Sequence, residues 1–105
     1  MTPAHLRPLA KQDRRDEVRY YRAKAGTTVA HQLVNVAGLA LKQIEQEPRI
    51  GSRRPGLLAE IQGLRSWRVK GFPLVWLYLE RADHLDVIRL LGERQDILSI
   101  LGDER

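Results

Sequence analysis

The chain has 105 residues and no cysteine, which excludes disulfides, thiolate zinc sites and a nucleophilic thiol. Its stability must come from packing. It also lacks any apolar run of the roughly 20 residues that a bilayer-crossing helix needs. Its first residues, MTPAHLRPLAKQDRR, have neither the apolar segment nor the small-residue cleavage site of a secretory signal. The expected location is the cytoplasm, with no membrane partner. There is no glycine-rich phosphate loop, no G-x-S-x-G elbow and no H-E-x-x-H pair, so nucleotide binding, ordinary hydrolysis and zinc-protease chemistry fall away. The three histidines, His5, His31 and His84, stand singly, at no spacing that would assemble a metal site. No metal and no cofactor are expected. Neither an internal repeat nor a low-complexity segment is present.

What the chain has is positive charge. Eighteen Lys and Arg against thirteen Asp and Glu give +5 and a pI near 10.1, which favours an acidic partner, either nucleic acid or an acidic protein segment. No basic block is continuous enough to be a disordered tail, so the excess decorates a folded surface. A chain of this length buries one modest core, which makes residues 1–105 a single domain.

His5 to Arg7 is a short strand candidate stopped by Pro8, since proline cannot donate to a sheet ladder. Leu9 to Ala25 is helix-forming, with Val18, Tyr21 and Ala25 on one face and Gly26 as its stop. Arg14 and Glu17 are spaced to interact across one turn of it. Thr27 or Thr28 can cap a second helix, whose apolar stripe is Val29, Leu33, Val36, Ala40, Leu41 and Ile44. Pro48 ends that helix, and a loop punctuated by Gly51, Pro55 and Gly56 follows from Arg49 to about Glu60. Leu64 to Val69, Leu74 to Leu79 and Leu85 to Leu91 are three consecutive strands, the middle one so apolar that it should be covered on both faces. Turns this short permit antiparallel pairing alone. Gln95 to Leu101 forms a short terminal helix or a tail. The expected fold is therefore α+β: an N-terminal short strand, a two-helix hairpin, and a three-stranded antiparallel meander with the hairpin on one face of the sheet.

Arg65, Arg68 and Lys70 lie on or beside the first meander strand, Arg89 on the last and Arg94 just beyond it. Strand alternation puts Arg68 and Lys70 on one face and Arg65, Trp67 and Val69 on the other, giving a basic face and an apolar one. The basic side chains are candidates for docking a macromolecule. A solvent-facing strand kept soluble by charge explains the same pattern, and spacing alone does not choose. Trp67, Phe72, Trp76 and Tyr78 interleave with these cations as stacking platforms would, but the apolar run around Trp76 and Tyr78 favours core packing. Asp13, Asp16 and Glu17 sit among arginines on the first helix, where solvated ion pairing explains them better than acid–base work.

The stretch from Glu47 to Tyr78, EPRIGSRRPGLLAEIQGLRSWRVKGFPLVWLY, resembles the ParE/RelE superfamily of bacterial toxins encoded beside an antitoxin, and its ParE branch more closely. The residues that carry the resemblance are Pro48, Gly51, Ser52, Gly63, Leu64, Arg65, Val69, Phe72, Pro73 and Tyr78, with weaker similarity from about Leu6 to Leu98. It implies a toxin of a type II toxin–antitoxin pair that binds DNA gyrase, favours its DNA-cleaved state and catalyses nothing. A cognate protein antitoxin would neutralise it, wrapping it with an extended or helical segment, and the groove between helical hairpin and sheet is the expected contact. The RelE branch implies instead a ribosome-dependent mRNA endoribonuclease, in which Arg68, Lys70 and Arg94 would stabilise charge on the scissile phosphate. No Tyr or His follows His84 to assist proton transfer where that branch has one. The last strand reads RLLGERQD where the ParE branch commonly has R-V-L-H-G-x-R-D, so Gly92 replaces a His and Gln95 an Arg. Those departures also admit an inactive toxin fold that serves as a binding module.

Overall fold

A computed structural model describes residues 1–102. The chain runs β1 (Ala4–Leu6), α1 (Pro8–Ala25), α2 (Thr27–Gln46), α3 (Arg54–Ala59), β2 (Arg65–Arg68), β3 (Leu74–Glu80), β4 (Leu85–Gly92) and α4 (Ile97–Gly102). The sheet order is β1-β4-β3-β2, with β2–β3 and β3–β4 antiparallel and β1 parallel to β4 along Ala4↔Leu85 to Leu6↔Val87. The expected meander is there, and β1 adds a parallel edge to it.

Pro8 opens α1 at a position where its missing N–H costs nothing. One residue, Gly26, both closes α1 and starts α2, at φ 95° with its N–H on the Arg22 carbonyl. That backbone is cheap only for glycine, and it folds the two helices into a tight hairpin. Gly26 therefore occupies the N-cap place expected for Thr27 or Thr28, and no side chain caps α2.

The fully buried stripe of α2 is Ala30, Leu33, Ala37, Ala40 and Ile44, with the expected Val29, Val36 and Leu41 half-buried at its margins. Alanines at the contact let α2 lie close to the sheet, where buried Trp76 donates its indole N–H to the Ala37 carbonyl at 3.1 Å. On α1, Val18 and Tyr21 pack against the core as expected while Ala25 is exposed. Arg14 and Glu17 form no ion pair with one another among the described residues.

The segment expected as loop from Arg49 to Glu60 contains α3. Ser52 Oγ accepts the Arg54 N–H at 3.2 Å, Pro55 lies in the first turn, and Glu60 closes the helix in the left-handed region at φ 57°. Gly56 allows a close approach, because a Cβ there would lie 2.6 Å from the Leu64 carbonyl oxygen. With α4, α3 covers the face of the sheet opposite the hairpin. Ala59, Leu64, Leu77, Ile88, Leu91 and Leu101 make a second buried cluster there. Both faces of the sheet are thus covered, which is why Trp76, Leu77 and Tyr78 are buried in succession. A bulge in the β3–β4 ladder, where Leu77 pairs Arg89 and Tyr78 pairs Val87, shifts the alternation so that Leu90 joins the first cluster and Leu91 this second one.

Candidate functional site

Five basic residues were candidates for one docking surface, and the fold separates them into two groups. Arg65 and Arg89 hold the fold together. Arg68, Lys70 and Arg94 are exposed around one end of the sheet.

Arg65 belongs to a latch that pins the loop after α2 to the sheet. The Tyr78 hydroxyl accepts the Gly51 N–H at 3.0 Å and donates to the Pro48 carbonyl at 2.8 Å. Arg65 Nη1 donates to the carbonyls of Gly51 (2.9 Å) and Arg49 (3.2 Å). Ser52 and Ser66 exchange two backbone hydrogen bonds. Burial pushes the Tyr78 hydroxyl pKa up, so it stays protonated and keeps donating. Gly51 is required by space: a Cβ would stand 2.5 Å from Tyr78 Oη and 2.8 Å from the Ser66 carbonyl oxygen.

Arg89 is only 18% exposed and forms a two-bond pair with Asp13, at 2.8 and 3.0 Å. The same carboxylate accepts the Leu90 N–H at 3.0 Å, covering β4 beyond the end of β1. Asp13, expected among solvated ion pairs, instead clamps α1 to the sheet. A second clamp is Arg7 with Asp86, at 2.9 and 2.7 Å, joined by Arg81 at 3.1 Å. Hydrogen bonds from Arg7, and then from Arg81, hold the Asp86 carboxyl below its ordinary range. Both pairs join residues more than 70 positions apart, and no sequence spacing announces them.

Trp67 and Val69 turn toward the first core cluster while Arg68 is exposed, so the expected alternation holds along β2. Lys70 lies in the following turn. Arg68 and Lys70 line a cleft of about 650 Å³ with Gln43, Trp67, Phe72 and Glu93. Arg94 lines a second, of about 490 Å³, with Glu17, Tyr21, Pro73, Leu74 and Gln95. Phe72 and Glu93 border one cleft, and their chain neighbours Pro73 and Arg94 border the other, so the two adjoin across the β2–β3 turn. Among the described residues, none of these three cations meets a carboxylate within 4 Å. The seam between hairpin and sheet, the expected antitoxin contact, is packed by the first core cluster; the Arg94 cleft opens at its end.

Sequence reasoning did not anticipate Glu17 and Tyr21 beside Arg94, since α1 supplies them from far upstream. Burial, then the charges of Asp13 and Asp16, raise the Glu17 pKa. Burial, then Glu17, raises that of Tyr21, which makes it a reluctant proton donor at neutral pH. The aromatics pack as expected: Trp76 and Tyr78 are buried, Phe72 meets Tyr21 edge to face at 5.0 Å, and Trp67 donates its indole N–H to Gln43 Oε1 at 2.9 Å. His5 and His84 are not solitary. The β1–β4 register stacks their rings at 4.8 Å, with His84 Nδ1 2.7 Å from the Asp83 carboxylate. No group of three metal-ligating side chains occurs among the described residues.

The family model for the ParE toxin of type II toxin-antitoxin systems, parDE, matches residues 5–97. The chain belongs to the ParE toxin family. A solved structure titled as the chromosomal ParDE toxin-antitoxin system from P. aeruginosa has the same fold, with a TM-score of 0.74 at 18% identity over 88% of this chain and 96% of that one. No curated protein matches the chain. For this ParE toxin the latch accounts for five of the ten residues that carry the sequence resemblance: Pro48, Gly51, Ser52, Arg65 and Tyr78 are its working parts. The departures Gly92 and Gln95 also meet, since the Gly92 N–H donates to Gln95 Oε1 at 2.6 Å. No helix among the described residues is long and apolar enough to cross a membrane.

Proposed function

We propose that this ParE toxin is held inactive by a cognate protein antitoxin and, when free, poisons DNA gyrase by binding it. Membership of the ParE family over residues 5–97 is the observation that carries the reading. The rim of Arg68, Lys70 and Arg94 supports it, because it offers exposed charge to a macromolecule. A poison of this kind needs only to prefer one conformational state of its target, the DNA-cleaved one. In a supercoiling assay the purified toxin should inhibit gyrase. Replacing Arg68, Lys70 and Arg94 by Glu should weaken inhibition by about tenfold or more while leaving thermal unfolding unchanged. Wild-type protein that leaves both supercoiling and cell viability untouched would sink the proposal.

The cleft that joins Arg94 to Glu17 gives a second reading some footing, that of a ribosome-dependent endoribonuclease. Cleavage of mRNA on isolated ribosomes, lost in Arg94→Ala, would decide for it. A chain that binds its antitoxin tightly but is harmless when expressed would be a binding module.

A further inference from the structure

The short helix α3 is built inside out. It buries Gly56 and Ala59 and turns Leu57 and Leu58 to solvent, whereas a surface helix ordinarily faces its large apolar side chains inward. The close approach to Leu64 explains the small residues on the inside, since a Cβ on Gly56 would lie 2.6 Å from the Leu64 carbonyl oxygen. Nothing within the chain explains the leucines on the outside. After Met1 they are the most exposed large apolar side chains among the described residues, at 70% and 57%. The neighbouring α4 buries Leu101 and likewise leaves Leu98 exposed, so an apolar patch spans both helices, and such patches mark interaction sites.

Charge on the patch is divided by sign. Between the helices runs a cleft of about 480 Å³ whose lining includes Arg54 and Leu58 from α3, and Glu93, Asp96 and Leu98 from the end of β4 and the start of α4. One wall thus carries a cation and a leucine, the other two carboxylates and a leucine. Within one chain the walls do not neutralise each other: among the described residues Arg54 has no carboxylate within 4 Å. A twofold axis through the cleft exchanges the walls. It sets Leu58 of each copy against Leu98 of the other and Arg54 against Glu93 and Asp96, so four leucines leave water while both signs of charge find partners. Nucleic acid and anionic membranes are repelled by the two carboxylates. An unrelated protein must supply the matching pattern; a second copy already has it.

We propose that α3 and the start of α4 form an isologous interface through which two copies of this chain pair. Glu93 also borders the Arg68–Lys70 cleft, so pairing sets the two basic rims side by side. The helical hairpin covers the opposite face of the sheet and takes no part. The inference goes beyond the functional reading above and needs neither antitoxin nor gyrase.

The test is sedimentation equilibrium of the full chain on its own, which should show a monomer–dimer equilibrium. Leu58→Asp should raise the dissociation constant by about tenfold or more. Leu39→Asp is the control: Leu39 is 50% exposed on α2 and does not line the cleft, so pairing should stay within about twofold of wild type. Arg54→Glu and Glu93→Arg change exposed side chains, and by symmetry each sets like charges across the interface twice, which should weaken pairing by about tenfold. An equimolar mixture of these two variants should pair near wild-type strength, because the mixed dimer has an Arg opposite a Glu at both places; misfolding cannot produce that rescue. A mixture that pairs no better than its components overturns the proposal, as does a wild-type chain that stays monomeric up to about 1 mM. Pairing lost in Leu39→Asp but kept in Leu58→Asp moves the interface to the hairpin and overturns it too. A monomeric wild type whose inhibition of gyrase is lost in Leu58→Asp assigns the leucines to the target instead, against the proposal.

Discussion

Tyr78→Phe tests whether the residues from Pro48 to Tyr78 that meet around its hydroxyl are a structural latch. The substitution keeps the buried ring and removes one oxygen, which accepts from Gly51 and donates to Pro48. The Gly51 amide is then left buried without an acceptor, at a cost of about 1–3 kcal/mol. The Pro48 carbonyl, partly buried, loses a bond worth about 1 kcal/mol. The expected loss is therefore about 2–4 kcal/mol, a large share of the roughly 5–15 kcal/mol that holds a domain folded. At about 4–8 °C per kcal/mol for a chain of this size, the thermal midpoint should fall by at least about 8 °C. Urea unfolding followed by far-UV circular dichroism measures it, and the midpoint should drop with the slope unchanged. A second arm uses Gly51→Ala, whose methyl would stand 2.5 Å from the hydroxyl. In the Tyr78→Phe background that clash disappears, so the double variant should be less destabilised than the sum of the singles. The Ser66 carbonyl oxygen at 2.8 Å and the retained ring carbon Cε1 at 2.9 Å keep the rescue partial. A Tyr78→Phe loss below about 0.5 kcal/mol, or strict additivity with Gly51→Ala, would refute the latch.

Asp13→Ala removes both bonds to Arg89 and strands the Leu90 amide; because the pair is largely buried, unfolding should show a loss of about 3 kcal/mol. The depressed pKa of Asp86 stabilises the fold above the ordinary Asp range near about 3.9, and that contribution is lost as pH falls from there through the folded value. Asp86→Asn should therefore flatten the acid limb of a stability–pH curve. Glu17 works in the opposite sense: its raised pKa means that stability is lost as pH rises through it. Glu17→Gln should raise the unfolding midpoint at pH 7 and have no effect once pH is well below the ordinary Glu value of about 4.3. Gly38→Ala should stabilise the free toxin by about 0.5–1 kcal/mol in the same unfolding assay, since the added methyl meets open space.

The meander, the helical hairpin and the burial of β3 were legible because they rest on local patterns: strand alternation, a long apolar run and helix-ending glycine and proline. What was not legible depends on which distant residues the topology brings together. α3 spans six residues, too few for periodicity to register, and Pro55 and Gly56 read as breakers although one lies in the first turn and the other permits a close contact. The buried stripe of α2 was displaced toward its alanines because Trp76, a residue of the sheet, demands room and a carbonyl partner. Charge sign alone grouped Arg65 and Arg89 with Arg68, Lys70 and Arg94. The first two are distinguished by carbonyls and a carboxylate that arrive from elsewhere in the chain. The His5–His84 stack is likewise a product of the parallel β1–β4 register.

The residues that carry the family resemblance and those proposed for the exposed rim differ in what holds them. Pro48, Gly51, Arg65 and Tyr78 are bound to one another, so any chain built on this latch must keep them whatever it binds. The rim is under no such constraint, and it is there that this chain departs from the family pattern. At Gly92 and Gln95 the departures are coupled, because the glutamine side chain accepts the glycine amide at 2.6 Å. A Cβ at position 92 would come within 3.3–3.4 Å of that side chain, so a larger residue there would press on Gln95 and weaken its hold on the amide. Both residues line the Arg94 cleft. Loss of an imidazole and a guanidinium thus leaves a closed local hydrogen bond beside a single exposed arginine, which makes the cleft less cationic without loosening its wall.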